Sequence, residues 1–227
     1  MDAHTHGPLD RRGLLIVSLP RNDAALARAA AEAGADMLKV HINVHHRASG
    51  TRFGSLDEEE QDLSAVLAAG LPTGLVPGEE VMVTQEEMPR LRRFAFLDAY
   101  LTRLPMFLYD AGVPVIPAIP HDYSPQELGA LGALPGDWLE AALVPPEGYG
   151  LNPAAGDLAA LARLGEATGR RMIVPSQRRI GPGDVARYFA IPQVWAVMIG
   201  VVVTGRTPRS IGLATGAFRR AMDGLFS

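Results

Sequence analysis

Lys39 is the only lysine in the chain; the remaining residues among its 21 basic ones are arginine. An amine can serve as a general acid or base, or form a Schiff base with a carbonyl, and a guanidinium can do neither. The lysine lies in Met37-Leu38-Lys39-Val40-His41-Ile42-Asn43. Strand alternation places Leu38, Val40 and Ile42 on one face and Lys39, His41 and Asn43 on the other. With the apolar face against a helix layer, the polar three point inward, where an unpaired charge is costly. In Phe96-Leu97-Asp98-Ala99-Tyr100 the same alternation turns Asp98 inward with Phe96. Lys39 and Asp98 are therefore the candidate catalytic pair. The plainer reading of each is a structural ion pair, and pairing favours a charged lysine over a nucleophilic amine.

A second kind of chemistry gathers near the end of the chain. One apolar run passes into Ser176-Gln177-Arg178-Arg179-Ile180-Gly181-Pro182-Gly183-Asp184, and the next into Gly200-Val201-Val202-Val203-Thr204-Gly205. Glycine turns that lead into helix N-termini present free backbone N–H groups and the positive helix end to an anion. Gly181, Gly183, Gly200, Val201, Thr204 and Gly205 are thus candidate phosphate-binding residues, for a phosphorylated small molecule. His4 and His6 form a His-x-His pair of the kind found in metal-dependent hydrolases, but no strand precedes them, so an N-terminal arm and no metal are expected. His45, His46 and His121 fall in loops, where a solvated histidine is the common case. Nothing in the sequence calls for a cofactor.

The elements that must position these residues are legible as eight apolar runs: Gly13 to Leu19, Met37 to Asn43, Pro72 to Val76, Phe94 to Asp98, Val113 to Ile119, Leu139 to Val144, Met172 to Ser176 and Trp195 to Val203. Helical stretches separate them at Asp23 to Ala33, Asp57 to Ala69, Pro125 to Leu131, Asp157 to Ala167 and Pro182 to Ala190, and Ala217 to Leu225 closes the chain. Asn22, Ser55 and Ser124 read as helix N-caps. Pro89 and Pro105 interrupt the third and fourth helical segments, which should be short or bent. Repeated βα units predict an α/β fold, a single-domain (β/α)8 (TIM) barrel over residues 13–227 after an arm of residues 1–12. An open doubly wound sheet is the alternative, but the first βα turn, Leu19-Pro20-Arg21-Asn22, lacks a glycine fingerprint. In a barrel, Arg47 to Gly54 and Pro77 to Thr84 become long loops on the active face, suited to a lid or to substrate contacts.

Composition narrows the partners. The chain is 48% hydrophobic and 20% charged with a formal charge of −4 and no basic block, which argues against nucleic acid. Cysteine is absent, which removes thiol catalysis and thiolate metal sites. No apolar run approaches a membrane span, and no secretory segment follows Met1, so the cytoplasm is the expected compartment. Self-association into a homo-oligomer is compatible with all of this.

Gly13-Leu14-Leu15-Ile16-Val17-Ser18, Leu97-Asp98-Ala99, Gly148-Tyr149, Arg178 with Pro182-Gly183-Asp184, and Gly200 to Thr204 occur in an order that resembles the N-acetylmannosamine-6-phosphate 2-epimerases, a phosphate-binding barrel family. The resemblance implies that Asn43 and Asp98 lie beside a sugar; Tyr149 and the inward His41 are further candidate substrate contacts. It also implies that Arg178 holds the substrate and that the Gly181 and Gly200 regions bind its phosphate. Family members carry a catalytic lysine at the end of the third strand, where this chain has Leu75-Val76-Pro77-Gly78-Glu79, and a glutamate after the seventh, where it has Ser176. Three functions follow: an isomerase, epimerase or lyase acting on a phosphorylated sugar or similar metabolite, a non-catalytic metabolite-binding or regulatory barrel, and, more remotely, a metal-dependent hydrolase.

Overall fold

The computed structural model describes residues 7–226, and the His4/His6 pair lies outside them. Eight parallel strands close into a barrel in chain order: β1 Leu14–Ser18, β2 Met37–His41, β3 Thr73–Val76, β4 Phe96–Tyr100, β5 Val115–Pro120, β6 Trp138–Ala142, β7 Arg171–Pro175 and β8 Val194–Ile199. β8 pairs with β1, Leu14 opposite Ala196, and so closes the ring. Each expected run overlaps one of these strands, with ends that differ by one to four residues in most.

Alternation divides the side chains into two cores. Leu15, Val17, Leu38, Val40, Leu75, Leu97 and Ile119 face outward and pack under the helices. Leu14, Ile16, Met37, Phe96, Ile116, Trp138, Ile173, Ala196 and Met198 face inward and fill the barrel's lower half. Leu9 joins this inner core from below, and the Arg12 guanidinium donates to the carbonyls of Phe189, Ile191 and Val194. Residues 7–12 of the expected arm are therefore fastened to the barrel floor.

The helix layer departs from the sequence reading in places that have physical causes. The first helix, Ala24–Glu32, is capped by Asp23, whose carboxylate accepts from Ala25 and Leu26 N–H, rather than by Asn22. Asn22 instead bridges the His41 carbonyl and Glu59. Ser124 does cap the helix Pro125–Ala130. As Pro89 and Pro105 suggest, the third helical segment shrinks to Gln85–Glu87 and Met88–Leu91, and the fourth to 3-10 turns at Leu101–Arg103 and Met106–Asp110. Val201–Thr204 is a helical turn and not the end of β8: Val203 and Thr204 N–H both donate to the Gly200 carbonyl. The last helix runs from Pro208 to Phe226, well beyond the expected Ala217 to Leu225. Gly212 and Gly216 lower its sequence signal, yet their missing side chains face the Ala29 and Ala33 carbonyls of the first helix and allow close packing. Among the described residues no helix is long and apolar enough to cross a membrane.

Candidate active site

Above the apolar lower half, the inward positions of the same strands become polar. Ser18, Lys39, His41, Asp98, Tyr100, Glu140 and Gly200 line a cleft of about 1310 Å³ at the C-terminal end of the barrel. Lys39 reaches across the barrel from β2. Its Nζ donates to Asp98 Oδ2 on β4 at 2.5 Å and to Glu140 Oε2 on β6 at 2.6 Å. The next strand, β3, carries Gly74 at this level. Gly74 pairs with Lys39 on one side and Phe96 on the other, and it offers no side chain; the Phe96 ring fills the space its Cβ would take.

All three charged side chains are nearly sealed, with 7%, 2% and 9% of Lys39, Asp98 and Glu140 exposed. Burial opposes the lysine charge, but the two carboxylates outweigh it and hold Lys39 above its ordinary value, as an ammonium. Burial, followed by the neighbouring Glu140 charge, pushes Asp98 well above the carboxylate range. Burial also acts to raise Glu140, yet Lys39 and a hydrogen bond from Asp98 hold it below its ordinary value. The directions of these shifts make Asp98, rather than Glu140, the carboxyl group with the greater affinity for a proton. Two carboxyl groups whose environments separate their affinities for a proton are an acid and a base.

His41 and His46 form the adjoining wall. His46 lies in a small hairpin of His45–His46 and Thr51–Arg52, which occupies the first long loop. Its ring is 4.9 Å from that of His41, and His46 Nδ1 is 2.8 Å from Ser49 Oγ. Burial, then the Lys39 charge, pulls His46 down to about 4. Burial, His46 and Lys39 hold His41 well below the ordinary histidine value. Both rings are neutral. Asn43 follows β2 in the left-handed region, with φ at 53°, and lines the cleft. On the far wall Gln177 donates to Tyr149 Oη at 2.6 Å.

Other residues singled out in the sequence lie elsewhere. Arg178 donates to both Asp157 oxygens, at 3.0 to 3.2 Å, and to the Gly148 carbonyl, and does not line the cleft. The Gly181 N–H is taken by Asp184 Oδ2, and Gly183 is also outside the cleft. The buried Thr204 donates to the Gly205 carbonyl behind the turn. Gly200 and Val201 do face the cleft. Gly200 N–H donates to Ser176 Oγ at 2.8 Å, and the Val201 and Val202 N–H groups have no acceptor among the described residues. Glu140 went unremarked in the sequence, although alternation within Trp138–Ala142 turns it inward with Trp138. Among the described residues no group of three or more His, Cys, Asp or Glu is arranged to hold a metal ion.

The fold has many structural counterparts. Tryptophan synthase from M. tuberculosis superposes with a TM-score of 0.69 at 14% identity, over 97% of this chain and 99% of that one. Phosphoribosyl anthranilate isomerase from Thermus thermophilus gives 0.64 at 19% identity, over 93% and 99%. The tryptophan synthase alpha chain from Legionella pneumophila gives 0.63 at 13%, over 96% and 94%. The chain has the TIM-barrel fold. At these identities the likeness is one of fold alone. No family model and no curated protein matches the sequence.

Proposed function

We propose that this protein is an isomerase- or lyase-type enzyme acting on a phosphorylated small metabolite of the sugar-phosphate kind. The observation that carries the reading is the position of Lys39 between Asp98 and Glu140 on the floor of a large cleft. A buried ammonium and two carboxyl groups are costly to hold together for stability alone. They supply what proton transfer at a carbon next to a carbonyl requires: a base, an acid and a fixed positive charge. Glu140 is the base, Asp98 the acid and Lys39 the charge that steadies a developing anion.

The phosphate belongs at the turn after β8. There the Val201 and Val202 N–H groups have no acceptor among the described residues, and the Ser176 hydroxyl, already accepting from Gly200, still has its own proton to donate. The turn after β7 is a poorer place, because the Asp184 carboxylate already occupies it. Two likenesses favour the same ligand class: the order of motifs shared with the N-acetylmannosamine-6-phosphate 2-epimerases, and a fold shared with an isomerase whose name specifies a phosphoribosyl compound. The expected experiment has two parts. A phosphate ester at 100 times its dissociation constant should stabilise the protein by about 2.7 kcal/mol, and Gly200→Val should remove the effect. In a panel of phosphorylated aldoses and ketoses, turnover should fall by at least about 10²-fold in Glu140→Gln.

A non-catalytic metabolite-binding barrel is the second reading. It is favoured by the internal pairing of the Lys39 cluster, whose ammonium already has both carboxyl groups as partners. Stabilisation by phosphate esters with no turnover across the panel would select it.

A further inference from the structure

The wall beside Lys39 allows the substrate class to be narrowed, on the basis of the reading above. His41 is two residues along the inward face of β2 from Lys39, and it lines the cleft. Its backbone is held at both ends by Asn22, whose Nδ2 donates to the His41 carbonyl at 2.7 Å and whose Oδ1 accepts from the His41 N–H at 3.3 Å. The ring is held by His46 and Phe53, each 4.9 Å away between centroids. This imidazole cannot wander.

Its two nitrogens differ. Nδ1 is sealed from solvent and has no hydrogen-bond partner, whereas Nε2 is not sealed and bonds to no described residue. A neutral imidazole has one N–H and one lone pair. Leaving a lone pair unpaired inside a protein is the commoner compromise, and an orphaned buried N–H is the rarer. The proton therefore belongs on Nε2, and the ring offers a donor to the cleft. Lys39 and His46 face the ring, with Glu140 beyond them. The ammonium of Lys39 opposes a second proton on the ring. Lys39 itself spends two of its three N–H bonds on Asp98 and Glu140 and keeps one in reserve.

We propose that His41 Nε2–H and the remaining N–H of Lys39 form an oxyanion site, and that the substrate is an enolisable carbonyl compound, a phosphorylated α-hydroxy aldehyde or ketone. In the step this implies, the Glu140 carboxylate takes the proton from the carbon beside the carbonyl. The C–H electron pair becomes the C=C bond, and the carbonyl π pair moves onto oxygen, where the two N–H groups hold it. On collapse the oxygen pair re-forms C=O, and the C=C pair takes a proton from the Asp98 carboxylic acid, which is left as a carboxylate while Glu140 keeps the proton it removed. Atoms and electrons balance without a cofactor. A histidine kept neutral suits this role, since an imidazolium would surrender its proton to the enolate too readily.

Nitrogen-15 NMR of the histidine rings, with His41 assigned through His41→Gln, is the first test. The ligand-free protein should show a neutral Nε2–H tautomer at His41 from pH 5 to 8; an Nδ1–H tautomer or an imidazolium at pH 7 would overturn the proposal. Two enolate mimics form the second test, acetohydroxamate and its phosphate-bearing relative phosphoglycolohydroxamate. Binding should shift the His41 Nε2–H resonance. His41→Phe should weaken binding at least about tenfold, which is about 1.4 kcal/mol, while His41→Gln, which keeps an N–H donor, should weaken it less. A response to acetohydroxamate alone would support the oxyanion site and refute the phosphate ligand. No response to either mimic would refute the oxyanion site.

Discussion

Lys39, Asp98 and Glu140 cannot be removed one at a time at equal cost. Lys39→Met strands two buried carboxyl groups without their cation, and loss of one partner from a buried charge cluster typically costs about 3–5 kcal/mol. Burial and then the Glu140 charge raise the affinity of Asp98 for a proton, and Glu140→Gln removes the second of these while leaving the Lys39–Asp98 pair whole, which favours a carboxylate at Asp98 beside the ammonium. Urea denaturation should therefore show a much smaller loss for Glu140→Gln than for Lys39→Met. Equal losses would contradict the assignment of the greater proton affinity to Asp98. At this scale the sequence was informative wherever alternation alone decides. Lys39, His41 and Asp98 could be placed inward from their own strands, and Glu140 was available by the same rule within Trp138–Ala142. Arg178 was not legible, because a free cation and one paired to Asp157, 21 residues earlier and on another element, look alike in sequence.

Among the elements, β3 has the least obvious part in the site. Its Gly74 has no unusual backbone requirement; it must be small because the Phe96 ring lies where a side chain would go. Gly74→Ala should overpack the barrel and cost about 1–3 kcal/mol. Adding Phe96→Leu should recover part of that loss, because residues in contact couple. A urea double-mutant cycle checks this, and additive losses would show that the two positions are independent. Strands were easier to read than helices for a related reason. Each barrel strand is buried on both faces and reads as an apolar run, whereas the last helix is interrupted by Gly212 and Gly216, whose purpose is contact with Ala29 and Ala33 of the first. The prolines at 89 and 105 gave the shortened third and fourth segments correctly, since a missing N–H acts locally.

For the whole molecule, the neutral histidines make stability depend on pH. His46 is held at about 4 when folded and returns to its ordinary 6.5 when unfolded. Above 6.5 neither state binds the proton. As pH falls below 6.5 the unfolded chain binds it first, so stability is lost down to about 4, by about 3 kcal/mol for this residue. His41 contributes in the same direction. Asp98 acts oppositely: its raised affinity for a proton in the folded state favours folding as the pH falls toward its unfolded value. Melting temperatures measured from pH 7 to 4.5 should decline, and His46→Gln should flatten the decline. A slope unchanged by that substitution would mean that His46 titrates normally in the folded protein.

The 3-10 turns between β4 and β5 leave that side of the barrel thinly covered, while β1 lies near the long closing helix and β8 near the helical segments Val185–Phe189 and Val201–Thr204. Local opening follows thin cover. In deuterium-exchange mass spectrometry, peptides spanning Phe96–Tyr100 should exchange by a lower-energy opening than those spanning Leu14–Ser18 or Val194–Ile199. Asp98 is carried on that same strand, so each such excursion would part the acid from the lysine and let its proton mix with bulk water. The cluster's isolation from solvent would then be a matter of time rather than of walls, renewed whenever the loosest strand closes.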